Sequence, residues 1–272
     1  MLALCEHDCR VIVLQRLITF MTNDQNNKRI AKNTLLLYFR LIFTMLVALY
    51  TSRVVLNVLG ESDFGVYNVV GGVVAMFSMF SGSFSSAITR FLTYEMGKKN
   101  FSKLKHIFST SITIQVILGI LIFIAGEIAG QWFIFNKMTI APDRVHAAII
   151  VLHCSLLKFV VNLLSVPYNA SIIAHEDMKA FAYISIAEVT LKLAAVYLLI
   201  VILHDKLIVY ACLLLIVSII IRLTYSFYCR RYEECRFQLM IDKPLFKEMG
   251  IFVMWNSIGV AAAALRSEGV NI

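Results

Sequence analysis

Residues 180–228 read AFAYISIAEVTLKLAAVYLLIVILHDKLIVYACLLLIVSIIIRLTYSFY. Only His204, Asp205 and Lys206 separate two apolar runs. Each run is long enough to cross a hydrocarbon core of about 30 Å as a helix. An open strand cannot satisfy its backbone polar groups in lipid, and neither run has the alternating pattern of a barrel strand. The stretch therefore predicts a helical hairpin that crosses a membrane twice.

The same pattern recurs along the whole chain. Hydrophobic residues make up 60% and charged residues 15% of the 272 positions, whereas soluble domains are about 45–50% apolar. The predicted spans are 34–56, 66–92, 107–130, 146–170, 180–203 and 207–228. A further run begins near Met249 and is cut off at Ile272. We expect an all-α integral membrane protein, a polytopic bundle of six transmembrane helices plus the start of a seventh.

Residues 1–27 differ from the rest of the chain. The apolar run Val11–Phe20 is too short to span a bilayer, and it lacks the basic flank and cleavage site of a signal peptide. Met21 opens a polar segment typical of a cytoplasmic start, so we expect residues 1–20 to come from an upstream start codon; the alternative is a helix in the membrane interface. The predicted units are 1–27 as leader, 28–228 as the six-helix lobe, 229–248 as a cytoplasmic loop and 249–272 as the start of the seventh helix.

Lys and Arg residues are divided unequally between the two sides of the predicted bundle. Fifteen lie on the side of the N-terminus: Arg10, Arg16, Lys28, Arg29, Lys32, Lys98, Lys99, Lys103, Lys105, Lys179, Arg230, Arg231, Arg236, Lys243 and Lys247. The other side has Arg53, Lys137, Arg144 and Lys206. Because cytoplasmic loops are enriched in Lys and Arg, we expect a multi-pass protein of the cell inner membrane with a cytoplasmic N-terminus.

Several function classes are disfavoured by the sequence. The net charge is +8, but no basic stripe with interleaved aromatic residues lies outside the apolar runs, so we expect no nucleic-acid partner. The CEHDC cluster at 5–9 lacks a second ligand pair at zinc-site spacing, so we expect no metal site. The sequence contains no P-loop, HExxH or GxSxG motif. We therefore expect no enzyme, no catalytic residue and no cofactor.

Short motifs stand at the ends of the predicted helices. They are SR at 52–53 with LG at 59–60, DFGVYN at 63–68 and GG at 71–72; ITRFL at 88–92 with EMGK at 95–98; PYNA at 167–170 with AHEDMK at 174–179; and WN at 255–256 with LR at 265–266. In this order and placement they resemble the Wzx-type polysaccharide flippases of the MOP exporter superfamily, which move lipid-linked oligosaccharides. The resemblance covers most of residues 30–272.

The resemblance implies a fold and a function. Members of that superfamily have about twelve to fourteen helices in two similar lobes around a central cavity, and this chain resembles the first lobe plus the start of the second. The implied function is export of polyprenyl-pyrophosphate-linked oligosaccharide across the inner membrane for O-antigen (lipopolysaccharide), capsule or exopolysaccharide assembly. The implied partners are membrane lipid, the lipid-linked glycan, and polysaccharide polymerase and ligase machinery. The missing half leaves open whether the chain transports by itself.

Three residues in these motifs have backbone properties that suit helix ends and bends. Gly60 and Gly65 bracket a tight outer turn where a positive φ is accessible to glycine. Pro167 lacks a backbone donor within the fourth span and predicts a kink, which would suit a helix bent around a cavity. The alternative is that the turn and the kink are purely structural features of the helices, with no role at a cavity.

Ionisable residues inside membrane spans are costly and are functional candidates by default. The candidates for a cationic, substrate-binding cavity are Arg40, Lys158, Arg266, Lys192, Arg222 and Arg90. Such a cavity would suit a pyrophosphate head, because Arg offers a fork of donors and Lys a point charge.

Each candidate also has a structural alternative. Glu188 and Lys192 can pair on one helix, Arg90 and Arg222 can snorkel to the interface, and the remaining cations can pair between helices.

Three rival functions remain open. A multidrug cation antiporter of the same superfamily usually needs an acidic residue in the cavity of its first lobe; the first span offers Arg40 instead, although Glu127 and Glu188 keep this alternative open. A murein-precursor flippase would use the same chemistry. A non-transporting, truncated membrane protein acting as a scaffold belongs to a different class.

Overall fold

The computed structural model describes the backbone of residues 2–75, 78–138, 144–202, 205–235 and 243–269. Side chains are described within these ranges from 27 to 262, apart from 29, 73, 75, 78–80, 243, 257, 260 and 261. All regular structure in the described residues is helical. The elements are α1 (Leu2–Ala75), α2 (Ser78–Gly97), α3 (Phe101–Asn136), α4 (Val145–Leu163), α5 (Val166–Ala174), α6 (Met178–Val201), α7 (Lys206–Cys229), a 3₁₀ turn (Glu233–Cys235) and α8 (Lys243–Gly269).

Helix α1 is broken at Gly60 into a first arm, 2–59, and a second arm, 61–75. Gly60 has φ 79° and ψ 167°, a region that essentially only glycine enters without strain. A Cβ at Gly60 would meet no atom within 4 Å, so the requirement for glycine there is conformational and not steric. Gly65 lies within the second arm, and its φ is not positive.

Five helices in the described part of the chain are long and apolar enough to cross a membrane. They are Ile30–Gly72, Phe101–Asn136, Val145–Ala174, Met178–Val201 and Lys206–Cys229. The predicted second span is divided between the second arm of α1 and α2. The seventh run lies in α8, which packs against α2 and α3.

The fourth span is interrupted between α4 and α5. Leu164 and Ser165 form a turn, and Pro167 lies in the first turn of α5, where a missing N–H breaks no intrahelical bond. The Ser165 hydroxyl donates to the Val161 carbonyl at 3.0 Å. The helix is therefore interrupted directly before Pro167, while the Ser165 hydroxyl remains bonded locally.

A stripe of glycines brings α3 and α4 into close contact. A Cβ at Gly119 would lie 3.1 Å from Val160, one at Gly130 would lie 2.6 Å from Leu152, and one at Gly126 would overlap Leu156. Gly126 and Gly130 are four residues apart, the spacing that lets two helix backbones approach in a membrane. The α3–α4 crossing therefore depends on the absence of side chains at these positions.

Ion pairs mark one end of the bundle, which we call the Gly60 end. Arg144 pairs with Asp63 at 3.3 Å and with Asp205 at 3.1 Å. Asp63 lies in the first turn of the second arm of α1, Arg144 directly before α4 and Asp205 directly before α7, so a single guanidinium joins three segments of the chain. The opposite end, which we call the Asp177 end, contains the pair of Lys103 and Glu95 at 3.1 Å.

Gly130→Val should lower the stability of the purified protein in detergent by about 1–3 kcal/mol, because the new side chain overpacks the α3–α4 contact. Thermal unfolding measures the change. Gly82→Ala is the matched control, since a Cβ there meets no atom within 4 Å. Adding Leu152→Ala to Gly130→Val should restore part of the loss. Equal stability of Gly130→Val and wild type would contradict the close packing.

Candidate functional site

A cavity of about 330 Å³ lies among α1, α4, α6 and α7. We call it the lysine cavity because two lysines from different helices line it. Its lining residues are Ala48, Thr51, Ser52, Val55, Phe64, Tyr67, Asn68, Lys158, Val189, Lys192, Tyr210 and Leu214. Both arms of α1 contribute, because the reversal at Gly60 returns the second arm beside the first.

Three charged groups interact at this cavity. Lys192 donates to Glu188 at 2.5 Å, one helical turn away on α6. Lys158, on α4, interacts electrostatically with both Lys192 and Glu188. One carboxylate therefore faces two ammonium groups, and the cluster keeps a net positive charge when all three groups are ionised.

Hydroxyl and aromatic groups complete the wall of the lysine cavity. The rings of Tyr67 and Tyr210 meet edge to face, with centroids 5.0 Å apart, and their hydroxyls form a hydrogen bond. The Thr51 hydroxyl is buried and has no hydrogen-bond partner among the described residues. A buried polar group without a partner is costly.

Arg40 lies on the first arm, on the Asp177 side of the cavity. It is eight residues before Ala48, which corresponds to about 12 Å of helix. Its Nη1 donates to the Ser185 hydroxyl at 3.3 Å, and its guanidinium lies 4.4 Å from the centre of the Phe181 ring. Tyr225 interacts electrostatically with both Arg40 and Glu188. Tyr225, on α7, thus links Arg40 on α1 to Glu188 on α6, the carboxylate that pairs with Lys192.

Two other predicted cations, Arg222 and Arg90, lie apart from this cavity. Arg222 stacks on Tyr168 at 4.1 Å. Arg90 stacks on Phe252 at 4.8 Å and lines a separate cavity of about 540 Å³ between α2 and α8. The side chain of Arg266 lies outside the described residues, as do those of the CEHDC cluster at 5–9.

The model of the family described as polysaccharide biosynthesis protein matches residues 30–265. The chain belongs to this family. No curated protein matches the sequence. The matched range contains the whole lysine cavity and Arg40.

Two solved transporter structures share the fold of this family member. A multidrug resistance MATE family transporter of the MOP superfamily, in an outward-facing conformation, has a TM-score of 0.74 and 14% identity; the match covers 88% of this chain and 53% of the transporter. A MOP superfamily transporter from Pyrococcus furiosus has a TM-score of 0.68 and 14% identity. This match covers 88% of this chain and 53% of that transporter. This chain therefore spans about half the length of these transporters. It is a multi-pass, all-α membrane protein that shares the fold of these transporters over that half.

A second polar network closes the Asp177 end of this lobe. Asp177, in the AHEDMK motif, accepts hydrogen bonds from the Tyr228 hydroxyl at 2.6 Å and the Tyr232 hydroxyl at 3.4 Å. His175 stacks on Tyr232 with ring centroids 4.0 Å apart and pairs with Glu234. The motif therefore ties the connection between α5 and α6 to the end of α7.

The electrostatics of this network favour ionised carboxylates. Burial alone would raise the pKa of Asp177, but hydrogen bonds from Tyr228 and the Ala180 amide, together with the Arg231 charge, lower it below the ordinary value. Burial likewise opposes ionisation of Glu234, but the hydrogen bond with His175, a backbone hydrogen bond at Glu234 and the charge of His175 together outweigh it, so the pKa of Glu234 is also lowered.

Several residues at the lysine cavity have no distinguishing pattern in the sequence. Tyr67 and Asn68 were visible only as part of the DFGVYN motif. Tyr210 lies in a continuous apolar run, where nothing in the pattern shows which residues face inward. Thr51 is one of many hydroxyl residues in the spans, and its burial becomes visible only in the packed bundle.

Lys158→Cys should react with a water-soluble maleimide faster than Leu157→Cys, by roughly tenfold or more, because a thiol ionises only where water reaches it. The test uses a chain whose six native cysteines are replaced. Leu157 is the matched control, since it is the adjacent residue and is 42% exposed on the bundle surface. Equal rates at the two positions would contradict a hydrated lysine cavity.

Proposed function

We propose that this family member is part of a flippase or exporter that moves polyprenyl-pyrophosphate-linked oligosaccharide across the inner membrane for O-antigen, capsule or exopolysaccharide assembly. The observation that carries the proposal is the lysine cavity, in which Lys158 and Lys192 from two helices face one hydroxyl-rich space. The family match, to proteins of polysaccharide biosynthesis, supports the same substrate class.

The sign of the charge at this cavity favours an anionic substrate. Lys158 and Lys192 contribute two positive charges and Glu188 one negative charge, so the cluster has a net charge of +1, and Arg40 adds another. A pyrophosphate head carries negative charge that is costly to move through hydrocarbon, and ammonium and guanidinium groups bind phosphate oxygens strongly. The cavity thus supplies positive charge that compensates the negative charge of the head, which lipid cannot do.

The size and lining of the cavity agree with a site for part of a large substrate. About 330 Å³ is near the lower limit of ligand pockets, enough for a charged head and one adjoining sugar. Thr51, Tyr67, Tyr210 and Asn68 provide hydroxyl and amide groups that pair with sugar hydroxyls. The polyprenyl tail would remain in lipid, and the rest of the glycan would need space outside this lobe.

The second candidate is a multidrug cation antiporter, which the likeness to a MATE family transporter favours. Against it, the acid at the cavity, Glu188, is already neutralised by Lys192. The Pyrococcus furiosus transporter is described as having a binding pocket of reverse polarity that suggests a different function. That description, too, relates the charge of the pocket to function.

The remaining parts of the proposal concern its setting. The protein would act as a transporter and not as an enzyme, with membrane lipid, the lipid-linked glycan, and polymerase and ligase machinery as partners. The cation bias of the loops supports a cytoplasmic N-terminus. Residues 98–105 and 229–248 would then be cytoplasmic, and 57–65 and 131–145 external.

Lys137→Cys should be labelled by a membrane-impermeant thiol reagent added to intact cells, and Lys103→Cys should be labelled only after permeabilisation. The expectation follows from the charge bias of the loops, and the background lacks native cysteines. Labelling of Lys103→Cys in intact cells, with Lys137→Cys protected, would reverse the proposed orientation.

Lys158→Gln and Arg40→Gln, each in the intact gene product, should lower surface polysaccharide about tenfold at unchanged protein level, since a lost charged hydrogen bond costs about 1.5–3 kcal/mol. Arg40→Lys should retain more export than Arg40→Gln, because the charge is kept while the fork of donors is lost. Extraction and quantification of cell-surface polysaccharide in a flippase-deficient strain measures the effect.

Lys137→Gln is the matched control, because it removes the same charge from an exposed position outside the cavity. It should leave export near the wild-type level. Normal export by the Lys158→Gln, Arg40→Gln double variant would rule out the cationic cavity. Loss of resistance to cationic drugs, with polysaccharide unaffected, would favour the antiporter instead.

A further inference from the structure

Glu188 and Lys192 lie one turn apart on α6 and form an ion pair beside the lysine cavity. Lys192 Nζ donates to Glu188 Oε1 at 2.5 Å. Lys192 lines the cavity, whereas Glu188 is not among the residues described on its wall. An ammonium group has three donors, and the bond to Glu188 uses one of them. Lys192 therefore contacts the carboxylate on one side and the cavity on the other.

The carboxylate also acts on the second lysine of the cavity. Lys158, on α4, is repelled by the charge of Lys192 and attracted by that of Glu188. Two ammonium groups that face one small space inside a membrane bundle are costly unless an anion lies near them. Glu188 is such an anion, and it offsets part of the repulsion between the two lysines.

Glu188 is the carboxylate that the helices around this cavity place beside the lysines. The sequences of α4 and α7 contain no acidic residue, and Glu188 is the one acidic residue of α6. Near the cavity on α1, Glu61 is exposed and Asp63 is paired at the Gly60 end. Glu127 lies on α3, which contributes no residue to the described wall. Any competition between an acid of this lobe and a bound anion therefore comes from Glu188.

A pyrophosphate head would change the role of this carboxylate. The head carries negative charge on both of its phosphates, and Lys158 and Lys192 can donate to phosphate oxygens. These charges balance those of the two lysines, and the charge of Glu188 is then in excess. Like charges that share a site disfavour each other. Glu188 therefore attracts the lysines but repels the head that they bind.

We propose that Glu188 is a resident counter-ion that lowers the affinity of the lysine cavity for the anionic head. The inference rests on the proposed function and names the residue that limits how tightly the substrate is held. A conducting site must bind its substrate strongly enough for entry and weakly enough for release. Glu188 serves the second condition, because it pairs with Lys192 again as the head leaves.

A purely structural ion pair predicts a different result. Opposite charges four residues apart on one helix stabilise that helix modestly, and such a role concerns the fold alone. Loss of Glu188 would then leave anion binding unchanged, or weaken it by disturbing Lys192. The counter-ion role predicts a gain in anion affinity, which a damaged site does not produce. The sign of the change therefore separates the two roles.

The experiment measures binding of inorganic pyrophosphate to the intact gene product in lipid nanodiscs by isothermal titration calorimetry, at constant ionic strength and without divalent cations. Glu188→Gln should bind pyrophosphate about tenfold more tightly than wild type, because the like charge is removed while the amide oxygen still accepts from Lys192. Glu188→Leu removes the same charge with an apolar side chain suited to a membrane span. It should give a gain of the same sign, and it tests the proposal even if Glu188→Gln fails to fold.

Two controls locate the effect. Glu127→Gln removes the same charge from a span outside the cavity and should leave the affinity within about a factor of three of wild type. Lys158→Gln should weaken binding about tenfold, because a charged hydrogen bond is lost. The second control shows that the measured pyrophosphate lies in the lysine cavity.

The outcomes separate this inference from the proposed function. If Lys158→Gln weakens binding but neither Glu188 variant binds more tightly than wild type, the counter-ion role is overturned and the cationic cavity stands. If Lys158→Gln leaves binding unchanged, or if wild type and both Glu188 variants bind no pyrophosphate, the cavity is not an anion site and both are overturned. An equal gain in Glu127→Gln would also overturn the role of Glu188, since net charge alone would then explain it.

Discussion

A charged side chain inside a bilayer has no bulk water around it, so the bundle itself must supply its solvation. The cations in these spans are solvated in three ways. Lys192 has a carboxylate partner in Glu188, Arg222 and Arg40 stack on aromatic rings, and Lys158 faces a cavity lined with hydroxyl groups. Lys158, Lys192 and the groups that line their cavity come from α1, α4, α6 and α7, so four helices together meet this requirement at one space.

Different forces hold different parts of the lobe. The α3–α4 contact relies on glycine, since apolar side chains gain little from packing together in a solvent as apolar as themselves. At the two ends, where water returns, Arg144 and Asp177 bind the connections together through ion pairs and hydrogen bonds. These links fix the helix ends relative to one another.

The sequence predicted the helical membrane bundle because hydrophobic length is a strong signal when every backbone group must be bonded within its own segment. The breaks near Gly60 and Pro167 were visible for a related reason, since both residues have distinctive backbone preferences. Lys158 and Lys192 were candidates for a cationic cavity from the sequence, but the other residues that line the lysine cavity could not be predicted, because helices that are apolar on every face give no period that marks the inward side. The rings that stack on Arg90 and Arg222 lie far away in sequence, so only the packed bundle separates these two cations from the cavity.

On the proposed function, the position of the lysine cavity within one lobe has a mechanical consequence. Its walls are the two arms of α1 together with α4, α6 and α7, so its charges would stay together when the lobe rotates against a second one. A pyrophosphate head held there would remain paired throughout the movement, and only the contacts made by the second lobe would change. The cost of exposing the head to hydrocarbon would then be avoided at every stage. A cavity divided between two lobes would instead lose half of its charge as they separate.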